Sequence, residues 1–238
     1  MRDYASLQLP GVPASEEARA RLIYSITAYL DAQGFISCTK EAAERTVAFV
    51  RTDKGWAVFD DCAERLDTAA LNGLGRCLSG KLRTQVVGLM GSGTGLMLCL
   101  YAEGLVRDTY ITSRRPFGRT CLPGWLNGRG HAPRWRAQLA EGVEVKELAA
   151  LFAKGRREGR AIYERLSRAL DLDETAAFGF SSIEEAGLQG VVTLYFRAAN
   201  VVRQGLFDRL LHPARPAAST PGACLRIERK PPDRLERP

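Results

Sequence analysis

The sequence predicts an α+β fold: a mixed or antiparallel sheet with two helices on one face, followed by a helical portion and a late strand. Three observations predict it. Apolar runs over the first 112 residues switch between a period of two and a helical period in the order β-α-β-β-α-β-β-β. Turn residues at Thr52–Gly55 and at Glu103-Gly104 join neighbouring runs tightly. Beyond residue 143 the period becomes helical, before a β-branched run returns at Val191.

Each element follows from its own residues. Tyr4 to Leu9 alternates as a short strand. Pro13 and Ser15 open a helix, with Ser15 as N-cap and Glu16 and Glu17 in the favourable first turn. Ala18, Leu22, Ile26, Tyr29 and Leu30 make its apolar stripe, and Gly34 ends it. Thr46 to Asp60 reads as a hairpin, with Gly55 supplying a positive φ. Asp67 caps a second helix carrying Leu71, Leu74, Leu78 and Leu82. Gly73, Gly75 and Gly80 each weaken that helix by about 1 kcal/mol relative to alanine, which close packing on a sheet would explain. Strands follow at Thr84–Met90, Leu96–Ala102 and Leu105–Thr112, and the unbroken apolar character of the middle one suits burial on both faces. Leu148, Leu151, Phe152, Ile162, Tyr163, Leu166 and Leu170 support one or two helices between Val143 and Leu170, with a break at Gly155 or Gly159. A short helix is expected after Ser181-Ser182, and a strand at Val191–Phe196 that joins the sheet.

The predicted organisation is a sheet domain over residues 1–112, a basic Gly/Pro/Arg-rich connection over 113–132, a helical portion with the late strand packed on the sheet over 133–212, and a disordered tail over 213–238. Within that tail only Ala223–Ile227 has the character to add to a sheet edge.

The 238 residues are 45% hydrophobic and 26% charged, a balance that builds a core without metals or disulfides. Cys38, Cys62, Cys77, Cys99, Cys121 and Cys224 have no metal-ligand spacing and read as reduced thiols, which suits the cytoplasm. Neither a signal-like N-terminus nor an apolar run long enough to cross a membrane is present, so no membrane partner is expected.

The net charge of +7 is concentrated. Residues 109–140 hold Arg114, Arg115, Arg119, Arg129, Arg134 and Arg136 and no acid, interleaved with Phe117, Trp125 and Trp135. The tail adds more basic charge, and the remaining body is close to neutral. Arginine far outnumbers lysine, which GC-rich coding alone also produces.

Catalytic and ligand templates each lack a member. Gly75 to Lys81 approaches a P-loop, but Leu82 stands where the Mg²⁺-binding hydroxyl belongs and the context is helical. Gly88, Gly91, Gly93 and Gly95 could cradle a phosphate but are followed by a strand, leaving a hairpin turn as the plainer reading. Cys121 with His131 or His212 lacks a rigid setting for a base. Asp60-Asp61 with Glu64 could bind a cation through oxygen, although turn and capping chemistry accounts for them, as it does for Asp171 and Asp173.

The basic aromatic segment remains. The sequence therefore predicts a non-enzymatic binding protein, an accessory or immunity-type bacterial protein, with no cofactor and no metal. Its expected partner is an acidic protein surface, met by Arg114, Arg115, Arg119, Trp125, Arg129, Arg134 and Trp135. Three alternatives stand beside it: a solvated connection whose tryptophans merely pack back on the sheet, nucleic-acid binding through the same segment, and an enzyme with a site near Asp60/Asp61 or the Gly91–Gly95 loop.

Overall fold

The computed structural model describes residues 3–117, 128–173, 179–180, 183 and 189–199, with residue 115 described by its backbone alone. Eight strands form one antiparallel sheet: β1 (Tyr4–Pro10), β2 (Phe35–Ser37), β3 (Arg45–Thr52), β4 (Gly55–Asp60), β5 (Val86–Ser92), β6 (Gly95–Ala102), β7 (Leu105–Ile111) and β8 (Val192–Ala198). Their spatial order is β2-β8-β3-β4-β1-β5-β6-β7. The late strand β8 joins the sheet between β2 and β3, and residues up to Ala199 form one compact unit. Among the described residues the α-helices are α1 (Glu16–Ala32), α2 (Asp61–Glu64), α3 (Thr68–Leu82), α4 (Val145–Glu158) and α5 (Tyr163–Ala169).

The two long early helices share one face. Ser15 caps α1 by accepting from the Ala18 N–H, and Asp67 caps α3 by accepting from the Ala69 and Ala70 N–H groups. Leu22, Ile26 and Leu30 of α1 and Leu71, Leu74 and Leu78 of α3 pack on Leu7, Leu9, Phe49, Val58, Met97 and Tyr101. The glycines of α3 have a packing reason. A Cβ on Gly75 would stand 2.6 Å from the buried Tyr101 ring, and one on Gly80 would stand 3.3 Å from the Gly104 backbone.

The opposite face is covered by the later chain. Val87 and Leu89 of β5 and Leu96, Leu98 and Leu100 of β6 pack there against Trp135, Leu148, Phe152, Ile162, Leu166 and Leu170. Alternate residues of β6 thus enter two different cores, which is why its sequence is apolar throughout. The helical break falls at Gly159, where a 3₁₀ turn Gly159–Ile162 separates α4 from α5. A Cβ on Gly159 would press on the Thr94 carbonyl.

Two elements escape the sequence reading. The strand β2 has only three residues and gains its ladder from β8. The helix α2 is a single turn capped by Asp60, whose carboxylate accepts from the Cys62 N–H at 3.0 Å. The expected short helix after Ser181-Ser182, apart from Ile183, and the tail from 213 with its Ala223–Ile227 segment lie outside the described residues.

Candidate functional site

The acid that organises the basic segment lies one residue before it. Asp108 of β7 is buried, and its Oδ2 accepts from the Trp135 Nε1–H at 2.6 Å and from the His131 N–H at 2.5 Å. Gly128 to Gly130 runs beside β7: the Ile111 N–H donates to the Gly128 carbonyl at 2.8 Å and the Gly130 N–H to the Thr109 carbonyl at 3.0 Å. A 3₁₀ segment, Ala132–Gln138, follows. Trp135 is 0% exposed and meets Phe152 edge-on at 5.9 Å between ring centroids. It is a core residue, so it is not a ring offered at the surface as the sequence suggests. An indole with its one donor answered by a carboxylate is stable in a core.

Among the described members of the predicted contact set, Trp135 is buried and Arg114, Arg129 and Arg134 are exposed. Arg134 is exposed beside the start of β7, where its Nη1 donates to the Arg107 carbonyl at 2.9 Å and stands 3.8 Å from Asp108 Oδ1. Arg129 is exposed next to Tyr110, and its carbonyl accepts from Arg156. Arg114 is exposed past the C-terminal end of β7. Arg115 opens the 3₁₀ turn Arg115–Phe117, whose Phe117 is buried. Arg119, Trp125 and the side chain of Arg115 lie outside the described residues.

Arg134 instead joins arginines from elsewhere. A cleft of about 1270 Å³ opens at the corner where β7 begins. It is lined by Arg76 and Gly80 of α3, by Arg83, and by Arg107 and Arg134, with Ala102, Leu105 and Val106 adding apolar surface. Glu103 is the single acid in this lining. Arg83 is the C-cap of α3 in the left-handed conformation, φ 52°, so the backbone turns out of the helix at that guanidinium. Arg76 Nε donates to the Gly104 carbonyl at 2.9 Å. Arg107 is paired with the exposed Glu103. Leu105 is 50% exposed, one of three large exposed hydrophobics among the described residues.

Sequence reasoning missed Arg76, Arg83 and Arg107 because they stand 7 and 24 residues apart on a helix and a strand. The one available signal was Arg83 and Arg107 beside turn residues, on either side of a two-stranded hairpin.

The other candidates have structural occupations. Arg45 makes a buried bidentate pair with Asp60, Nε–Oδ1 3.2 Å and Nη2–Oδ2 2.5 Å. Burial works against the charge on Arg45, but the bond to Asp60 more than restores it. Ligand atoms of Asp60, Asp61 and Cys62 lie within 4.8 Å of one another, yet Asp60 is held by Arg45 and Asp61 by Arg65 at 3.1 Å. Burial and the two neighbouring carboxylates push the Cys62 thiol up to about 11. Gly91 to Gly95 spans the β5–β6 turn, and the Thr94 carbonyl accepts from the Arg160 N–H at 2.7 Å. Gly75 to Lys81 is helix interior. Asp171 pairs with Lys54 at 2.5 Å, and the backbone of Asp173 exchanges two hydrogen bonds with the Gln8 side chain. His131 is exposed, while Cys121 and His212 lie outside the described residues. No helix among the described residues is long and apolar enough to cross a membrane.

The chain matches no model of a protein family, no curated protein and no solved structure.

Proposed function

We propose that this is a non-enzymatic binding protein of the cytoplasm whose arginine cleft receives an acidic surface of another protein. The observation that carries the reading is the convergence of Arg76, Arg83, Arg107 and Arg134 on one cleft with a single acid among them. Like charges gathered at a surface repel one another, and an anionic partner relieves that repulsion and is steered toward it. The apolar lining supports a protein partner over a nucleic acid. Leu105 and Val106 accept aliphatic side chains, whereas the lining holds no aromatic ring on which a base would stack. The four free thiols among the described residues, Cys38, Cys62, Cys77 and Cys99, suit a reducing compartment.

The test is retention of proteins from nuclease-treated native lysate on the full chain. Retention that survives nuclease and is lost in the Arg76→Glu/Arg83→Glu variant, at unchanged melting temperature, supports the reading. Retention of the same proteins by the variant overturns it. So does tight binding of a generic single-stranded oligonucleotide that the same substitutions abolish, with affinity falling steeply between 50 and 200 mM salt.

A further inference from the structure

Resting on that reading, we infer that the occupant of the cleft is a short segment carrying an apolar side chain between carboxylates, and that Glu103 is a built-in stand-in which the segment displaces from Arg107. Size argues first. A space of about 1270 Å³ exceeds the roughly 300–1,000 Å³ of a small-molecule pocket and suits several residues of chain.

The chemistry of the lining then fixes the segment. Arg76 of α3 and Arg83 at its C-cap line the cleft together with Arg107 and Arg134. In the same lining Leu105 leaves half of its surface to water and Val106 adds apolar surface. A segment with an apolar residue seated on Leu105 and carboxylates beside it would answer both parts of this lining. Two of these arginines are steadied by backbone carbonyls, Arg76 by Gly104 and Arg134 by Arg107, so less side-chain freedom is lost on binding.

Strand addition along the C-terminal half of β7 is closed off. Thr109 and Ile111 are already paired with Gly130 and Gly128, and the Arg107 carbonyl is taken by Arg134. The segment is read by its side chains.

The resident competitor is Glu103. It sits in the two-residue turn before β7, 78% exposed at its side chain, and holds Arg107 across four positions. An exposed pair of this kind is weak, so an incoming carboxylate exchanges for it at little cost. Removing Glu103 therefore strengthens binding, whereas removing any cleft arginine weakens it.

The experiment titrates the isotope-labelled full chain with the amidated, acetylated peptide Glu-Glu-Leu-Glu-Glu and follows backbone amides by NMR. Shifts centred on Leu105 to Arg107, abolished by Arg83→Glu, weakened when glycine replaces the peptide's leucine, and tightened about 2- to 5-fold by Glu103→Gln are the expected result. Unaltered affinity in Glu103→Gln, or equal binding of the leucine and glycine peptides, overturns the inference while leaving an acidic partner in place. Absence of any shift at these amides up to several millimolar peptide overturns it too, and the lysate experiment then decides the wider reading. Melting curves of both variants confirm that each remains folded.

Discussion

The two ends of the sheet treat arginine in opposite ways. Near one end, Arg45 of β3 is buried, and both ends of its guanidinium fork are spent on Asp60, which also caps α2. At the other end, Arg76, Arg83, Arg107 and Arg134 line a cleft whose lining holds one acid, Glu103. A buried charge must be answered from within the chain because desolvation is too costly otherwise. An exposed cluster has no such requirement, and its charge can be shared with a partner. The basic segment bridges the two behaviours: Trp135 and the chain at His131 are tied to buried Asp108, and Arg134 is left outside.

The contrast makes graded predictions. Arg45→Met leaves Asp60 buried and unpaired, and should cost about 3–5 kcal/mol in denaturant unfolding. A loss below about 1 kcal/mol would show that water reaches the pair. Asp108→Asn keeps an acceptor oxygen but removes the charge that holds two donors; a loss of about 1–3 kcal/mol is expected by the same measurement. Destabilisation of that size with unaltered cleft amide shifts would separate anchoring from recognition.

A pH series tests the β7 end differently. Burial pushes the Tyr110 hydroxyl up to about 12, and raises that of Tyr101 as well. The unfolded chain would lose these protons near pH 10, before the folded chain does. Stability is thus fully present below pH 10 and falls between about 10 and 12. Tyrosinate absorbance appearing together with the loss of near-ultraviolet circular dichroism is the expected signature; full titration of all tyrosines in a still-folded chain would contradict the packing. The smallest effect is on the cleft itself. Arg83→Glu should change stability by no more than about 0.5 kcal/mol, since Arg83 is exposed.

Most of the fold was legible because its signals are local. Ser15 and Asp67 announce their helices by capping, the Gly55 turn announces its hairpin, and continuous apolar character in β6 announces burial on both faces. Even the misplaced-looking glycines of α3 followed from contact with Tyr101 and Gly104. What escaped was set by distant partners. The strand β2 is too short to show a period and exists through β8. Trp135 looks like a surface ring in a loop-like context, and only Asp108, on a neighbouring strand in space, turns it inward. The cleft arginines were invisible as a group because α3, β7 and the 3₁₀ segment bring them together only when folded.

The most direct measurement compares two charge reversals of equal size. Arg76→Glu/Arg83→Glu and Arg114→Glu/Arg129→Glu each change the net charge by the same amount, the first inside the cleft and the second outside it. With both variants folded, the cleft pair should lose the proteins retained by the native chain from nuclease-treated lysate, and the outer pair should keep them. Equal retention by both variants, or loss only in the outer pair, would contradict the cleft as the contact surface.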